Sequence, residues 1–206
     1  MEPEDMTDRT PPPPILVFAG SAREDSFNKQ LARLAADRIE ALGGEPTFID
    51  LRDYPMPLYD GDLEAESGLP ENALALRRLL AEHQGLLIAS PEYNGFITPL
   101  LKNTIDWLTR PHEGDSGLKL FQGRIAAVVS ASPGGLGGIR SLALIRQLLG
   151  NIGVTVLPDQ LAVARAKEAF DDDGSLASDG QQQKLDAICG RLIDTLDRLG
   201  DRGPRA

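Results

Sequence analysis

Five short, nearly unbroken apolar runs alternate along this chain with stretches whose apolar residues recur at helical spacing. Few architectures accept that alternation. A strand with one wet face shows a polar residue at every second position. Continuous apolar runs instead mark strands buried on both faces, as in a parallel sheet between helical layers. The runs lie at 15–19, 46–51, 85–90, 124–131 and 154–157, and the helical stretches at 28–42, 70–82, 98–110, 138–149 and 181–199. In the first helical stretch Leu31, Leu34, Ala35, Ile39 and Leu42 share a face, and Gly43 with Gly44 stops it. In the third, Thr98 suits the N-cap and Pro99 the first helical position. The expected fold is α/β, a five-stranded parallel sheet covered on both faces.

The 206 residues suit one domain, expected at 15–200, with a short C-terminal tail at 201–206. Residues 1–14 end in four prolines and read as a disordered or polyproline-like extension. Residues 52–69 form an acidic connection with proline and glycine, a length that points to a functional or partner-facing loop. No run is long and apolar enough for a transmembrane span, and no secretory signal is visible. The single cysteine, Cys189, excludes an internal disulfide framework, so a cytoplasmic location is expected.

A net charge of -10 argues against nucleic acid or an anionic membrane as the main partner. The acidity is confined. Residues 1–10, 60–71 and 168–174 carry -3, -5 and -4, which leaves the remainder at +2. An anionic ligand is therefore not excluded.

The junction after the first apolar run is built to hold one. Gly20 and Ser21 would turn the chain, and a helix opening near Ser26 would point its free N–H groups back at that turn. Ser21, Ser26 and Asn28 add neutral donors, and Arg23 a charged one. The sequence matches neither the Walker pattern nor the G-x-G-x-x-G fingerprint, which points to a monophosphate ester over a triphosphate or pyrophosphate. Serine and asparagine also suit a plain helix cap, but a cap has no need of Arg23. In open parallel sheets ligands gather at the carboxyl ends of the strands. Two further strand-end connections look unusual, 90–97 and 130–138.

The stretch from Ser90 through Pro91, Glu92, Tyr93, Asn94 and Gly95 runs into Lys102, Asn103, Ile105, Asp106, Trp107 and Leu108. With the turn G-S-x-R-x-x-S-x-N and Ser-Pro-Gly-Gly-x-Gly-Gly at 132–138, it resembles the NADPH-dependent FMN reductase family over roughly residues 15–160. The resemblance implies a flavodoxin-like three-layer sandwich with strand order 2-1-3-4-5 and an enzyme using FMN, bound or exchangeable. Hydride would pass from NADPH or NADH to flavin N5 and on to a quinone, azo, metal-oxyanion or free-flavin acceptor. By motif, Ser21, Arg23, Ser26, Phe27 and Asn28 would hold the phosphate. Pro91, Glu92, Tyr93, Asn94 and Gly95 would line the ring, and Ser130, Ser132, Pro133 and Gly134 would close the site. No catalytic acid, base, nucleophile or metal is implied, since the flavin carries the chemistry. The resemblance also implies a homodimer or homotetramer, with contacts expected at the third helix, at 52–69, and around Trp107 and Phe96.

Other readings stay open. A flavodoxin-type electron carrier would bind FMN without turning over nicotinamide. A phosphoester hydrolase would use the same layout, but the first turn lacks a nucleophilic Cys or a suitably placed Asp. Pro91 to Gly95 is also a fair surface turn, and the glycines of 134–138 suit a plain strand-to-helix junction. Cys189 shares a stripe with Leu185, Ile188, Leu192 and Leu196 and reads as a small buried apolar group. Arg140 reads as a solvated helix residue.

Overall fold

The computed structural model describes residues 11–200, so most of the expected N-terminal extension and the C-terminal tail lie outside the described residues. The strands are β1 (Pro14–Ala19), β2 (Glu45–Ile49), β3 (Gly85–Ala89), β4 (Glu92–Tyr93), β5 (Phe96–Ile97), β6 (Ile125–Ala131) and β7 (Thr155–Val163). The helices are α1 (Phe27–Ala41), α2 (Gly61–Ser67), α3 (Glu71–Glu82), α4 (Pro99–Leu108), α5 (Ile139–Asn151) and α6 (Asp179–Gly200). Five strands form one parallel sheet in the order β2-β1-β3-β6-β7. Numbering only those five along the chain gives 2-1-3-4-5, the flavodoxin-like order.

The central runs, in β1, β3 and β6, are buried on both faces because alternate side chains enter different cores, while the border strands β2 and β7 are only partly buried. Ile15, Val17, Leu87, Ala127 and Val129 pack with α1 and α6, around Leu31, Ala35, Ile39, Leu185, Ile188 and Leu192. Leu16, Phe18, Leu86, Ile88, Ala126 and Val128 pack with α3, α4 and α5. Each fully buried Leu or Ile contributes about 1.5–3 kcal/mol, so a polar residue in either series would disrupt a closed layer. Cys189 is among the first set, and burial pushes its thiol up to about 12, as its apolar stripe predicts.

Two segments depart from expectation. β7 does not stop at 157 but runs to Val163, past Pro158. A register shift opposite Ala126 and Val128 absorbs the extra residues, and Arg146 donates to the carbonyls of Leu157, Pro158 and Asp159 at 2.5, 3.1 and 3.1 Å. A proline that cannot donate is tolerated because β7 is an edge strand with a bulge.

The 52–69 connection is not an open loop. It holds α2, whose first turn is capped by Asp60 accepting from Asp62 N at 2.8 Å. Before α2 it is strapped onto α4, where Pro57 O accepts from Trp107 Nε1 at 2.8 Å and from Asn103 Nδ2 at 2.9 Å. Tyr59 N donates to Asn103 Oδ1 at 2.8 Å, and its ring meets Trp107 edge-on at 5.1 Å. Trp107 is fully buried under this strap, so of the two roles its helical apolar set allows, core or subunit contact, it takes the core one.

Candidate functional site

Parallel register brings the carboxyl ends of the strands level: Ala19 lies beside Ala89, Ala89 beside Val129, and Ala131 beside Val163. The loops that leave them therefore share one end of the sheet. Gly20 extends β1 by donating to Ala89 O at 2.9 Å, and its own carbonyl accepts from Thr98 Oγ1 at 2.8 Å. A Cβ on Gly20 would stand 2.5 Å from Ser90 Oγ, so a side chain there would push the β1 and β3 loops apart.

Three of the helices that begin at this end treat their first turns differently. At α4, Thr98 Oγ1 accepts from Leu101 N at 3.2 Å. At α5, Glu92 Oε2 accepts from Arg140 N at 3.2 Å. At α1, Ser26 has the extended backbone of an N-cap (φ -79°, ψ 123°), yet its side chain caps nothing. Ser26 and Ser21 are both buried in the turn. The first N–H groups of α1 are thus left for an outside acceptor.

Asn28 fixes this turn to the neighbouring loop. Its Nδ2 donates to Ala131 O at 2.7 Å, and its Oδ1 accepts from Ala131 N at 2.9 Å. The amide locks the start of α1 to the end of β6. Arg23 projects with its guanidinium 5.5 Å from the Phe27 ring centre, and Phe27 stacks on Phe170 at 6.4 Å. Arg23 forms no ion pair among the described residues.

The Pro91–Gly95 stretch is a miniature hairpin. Glu92 pairs with Ile97 and Tyr93 with Phe96, leaving Asn94 and Gly95 as a two-residue turn. Both have positive φ, 52° and 80°, which is what such a turn requires and what Asn-Gly supplies. The Glu92 carboxylate is held by Arg140, whose Nε donates at 2.7 Å and whose Nη2 also donates. Arg140 holds that carboxyl below the usual glutamate range. Arg140 is therefore a hairpin anchor as well as an exposed helix residue.

A cavity of about 290 Å³ opens between these loops. Its walls include Ser21, Arg23, Ser26, Phe27, Asn28, Pro91, Glu92, Tyr93, Ser132 and Pro133, ten of the residues picked from the sequence, with Ala131 and Lys167. Asn94, Gly95, Ser130 and Gly134 are not on its walls. Asn94 and Gly95 shape the hairpin from behind, and Gly134 O accepts from Arg165 N at 3.1 Å. Ser130 shares the strand face of Ala126 and Val128, and its buried hydroxyl, without a partner, occupies the place a Cβ on Gly138 would need. Lys167 was not foreseen, because ending the last strand at 157 hid the loop that carries it.

A family model described as NADPH-dependent FMN reductase matches residues 13–168. The chain belongs to this reductase family. A 2-hydroxy-1,4-benzoquinone reductase of a Burkholderia species is 30% identical over 172 residues, covering 83% of this chain and 89% of that protein. An NAD(P)H-dependent FMN reductase of Pseudomonas aeruginosa is 35% identical over 182 residues, covering 84% and 92%. Among solved structures, the flavoenzyme NAD(P)H:(acceptor) oxidoreductase FerB from Paracoccus denitrificans aligns with a TM-score of 0.76 at 28% identity, over 90% of this chain and 98% of that one. The reductase is accordingly a flavodoxin-like oxidoreductase with FMN as its flavin and NAD(P)H as its electron donor.

The residues of this reductase fit FMN. An uncapped helix start, two buried serines and an unpaired arginine suit a phosphate dianion. Beside them the hairpin offers main-chain groups and the exposed Tyr93 ring to a flat heterocycle.

Proposed function

We propose that the reductase passes electrons from NAD(P)H to a small planar acceptor of the quinone type, as the name of the Burkholderia relative suggests for that protein. In this reading Ser21, Arg23, Ser26 and the N–H groups of Phe27 and Asn28 hold the FMN phosphate. Pro91, Glu92 and Tyr93, with Asn94 and Gly95 shaping their turn, bound the ring. Ser132 and Pro133 close the far wall, while Ser130 and Gly134 keep the β6 loop in place. Bound there, FMN would supply the two-electron chemistry, taking a hydride from the nicotinamide and giving it to the acceptor. The chain's own part is orientation. Its Glu92 carboxylate is occupied by Arg140 and has no proton to trade at neutral pH.

One observation carries the reading: the start of α1 is uncapped, and it borders one cavity together with the hairpin. The test is to titrate flavin-free protein with FMN by fluorescence quenching, then follow NADPH absorbance with benzoquinone. One-to-one binding, with NADPH loss that needs both FMN and quinone, supports the proposal. FMN binding without NADPH oxidation leaves the electron-carrier reading instead, and no FMN binding overturns both.

The same reading includes self-association. Tyr93 and Phe96 are 51% and 57% exposed on the hairpin, and Leu136 and Ile139 are 55% and 46% exposed at the start of α5. Covering this patch with a second copy supports a homodimer, or a homotetramer of two such pairs. Light scattering of the protein, and of a Phe96→Ser variant, tests it. A cytoplasmic location accords with one free, buried cysteine.

A further inference from the structure

The loop after β7 forms part of the cleft wall, and its geometry is fixed from three sides. Ser132 N donates to Val163 O at 3.0 Å, Ala166 N donates to Ser132 O at 3.0 Å, and Arg165 N donates to Gly134 O at 3.1 Å. Arg165 takes a positive φ of 50° to make this turn. Ala166 is buried, and Phe170 lies stacked on Phe27. Between those two anchors, Lys167 lines the same cavity as the residues of the α1 turn.

Two cations and one carboxylate line this cavity, namely Arg23, Lys167 and Glu92. Glu92 is taken by Arg140 from outside it. Neither Arg23 nor Lys167 forms an ion pair among the described residues. The cleft therefore holds two uncompensated positive charges, supplied by elements at opposite ends of the sequence. A phosphate monoester near neutral pH carries between one and two negative charges. Arg23 alone leaves part of that charge unmatched.

We propose that Lys167 is the second cation of the FMN phosphate site, gripping the phosphate from the β7 loop while Arg23 and the start of α1 hold it from theirs. The inference rests on the FMN reading above. It assigns the last strand's loop a binding role: the phosphate is held between the first and the last strand-end loops, not by the first alone. A lysine suits the position because a flexible point charge can follow the phosphate oxygens without fixed bidentate geometry.

The test compares FMN with riboflavin, which has the same ring and no phosphate. Flavin-free wild type, Lys167→Met and Lys167→Arg are titrated with each flavin by fluorescence quenching, at low and at high salt. The Lys167→Met variant is expected to lose roughly tenfold in FMN affinity, with riboflavin affinity unchanged. Its FMN affinity should also depend less on salt than that of wild type, and Lys167→Arg should restore most of the loss. Equal weakening of FMN and riboflavin would overturn the proposal, because the side chain would then serve the cleft's shape. Unchanged FMN affinity in Lys167→Met would overturn it too. Failure of wild type itself to bind FMN would instead remove the functional reading on which it rests.

Discussion

The starts of α1 and α4 lie at the same end of the same sheet, and the chain finishes one while leaving the other open. At α4 the Thr98 hydroxyl accepts from Leu101 N and donates to Gly20 O, so both hydrogen-bonding roles of one side chain are used within the fold. At α1, Ser26 has the residue type and backbone of a cap without the bond. The two hydroxyls differ in what the fold asks of them. One is spent on two bonds within the fold, and the other makes no capping bond. Helix starts carry partial positive charge whether or not they are capped, so the difference lies in which start is left free to use it.

The largest test of this contrast is Arg23→Gln, beside the open helix start. It should weaken FMN binding about 30- to 100-fold, as expected for a lost charge-assisted bond to phosphate, without moving the urea midpoint of the flavin-free protein. Thr98→Ala should behave oppositely, costing about 1–2 kcal/mol in urea unfolding because the cap and the Gly20 bond go together. Ser26→Ala is the sharpest case. A capping serine usually contributes about 1 kcal/mol, but here the stability change should stay below about 0.5 kcal/mol while FMN affinity falls several-fold. A full cap penalty at Ser26 would erase the distinction between the two helices.

The third helix start, α5, adds a pH dependence. Arg140 holds the Glu92 carboxyl below its ordinary value, so the pair favours the folded state while Glu92 is ionised. That contribution is complete above the unfolded glutamate range. It fades as pH falls through the lowered folded value, where both states become protonated. Comparing Glu92→Gln with wild type by urea unfolding should show a difference at pH 7 that shrinks under acid. A difference that grows toward low pH would contradict the pairing.

Much of this was readable in the residues, for reasons that differ by element. The sheet and its two buried faces followed from continuous apolar runs, because burial acts on every residue of a central strand such as β3 or β6. The turn at Gly20 to Asn28 and the Asn94-Gly95 pair were readable because their chemistry is local. The amide of Asn28, seen from the sequence only as a donor, also clamps Ala131, 103 residues away, and no local pattern announces such a partner. Glu92 reaches Arg140 across 48 residues in the same way. The helix at Gly61–Ser67 was masked by prolines and glycines before it, and it buries no residue that would give it a periodic signature. Lys167 was missed through Pro158, which reads as the end of a strand and is in fact a bulge within one.

That bulge has an effect beyond the cleft. Exposed strand borders invite pairing with another molecule, and β7 is such a border. Where the strand kinks, Arg146 already engages three successive carbonyls, and Arg191 reaches Asp159 at 3.0 Å. A passing chain finds no straight ladder to extend there. The irregularity that blurred the sequence pattern thus guards the protein against joining border to border with its neighbours in a crowded solution.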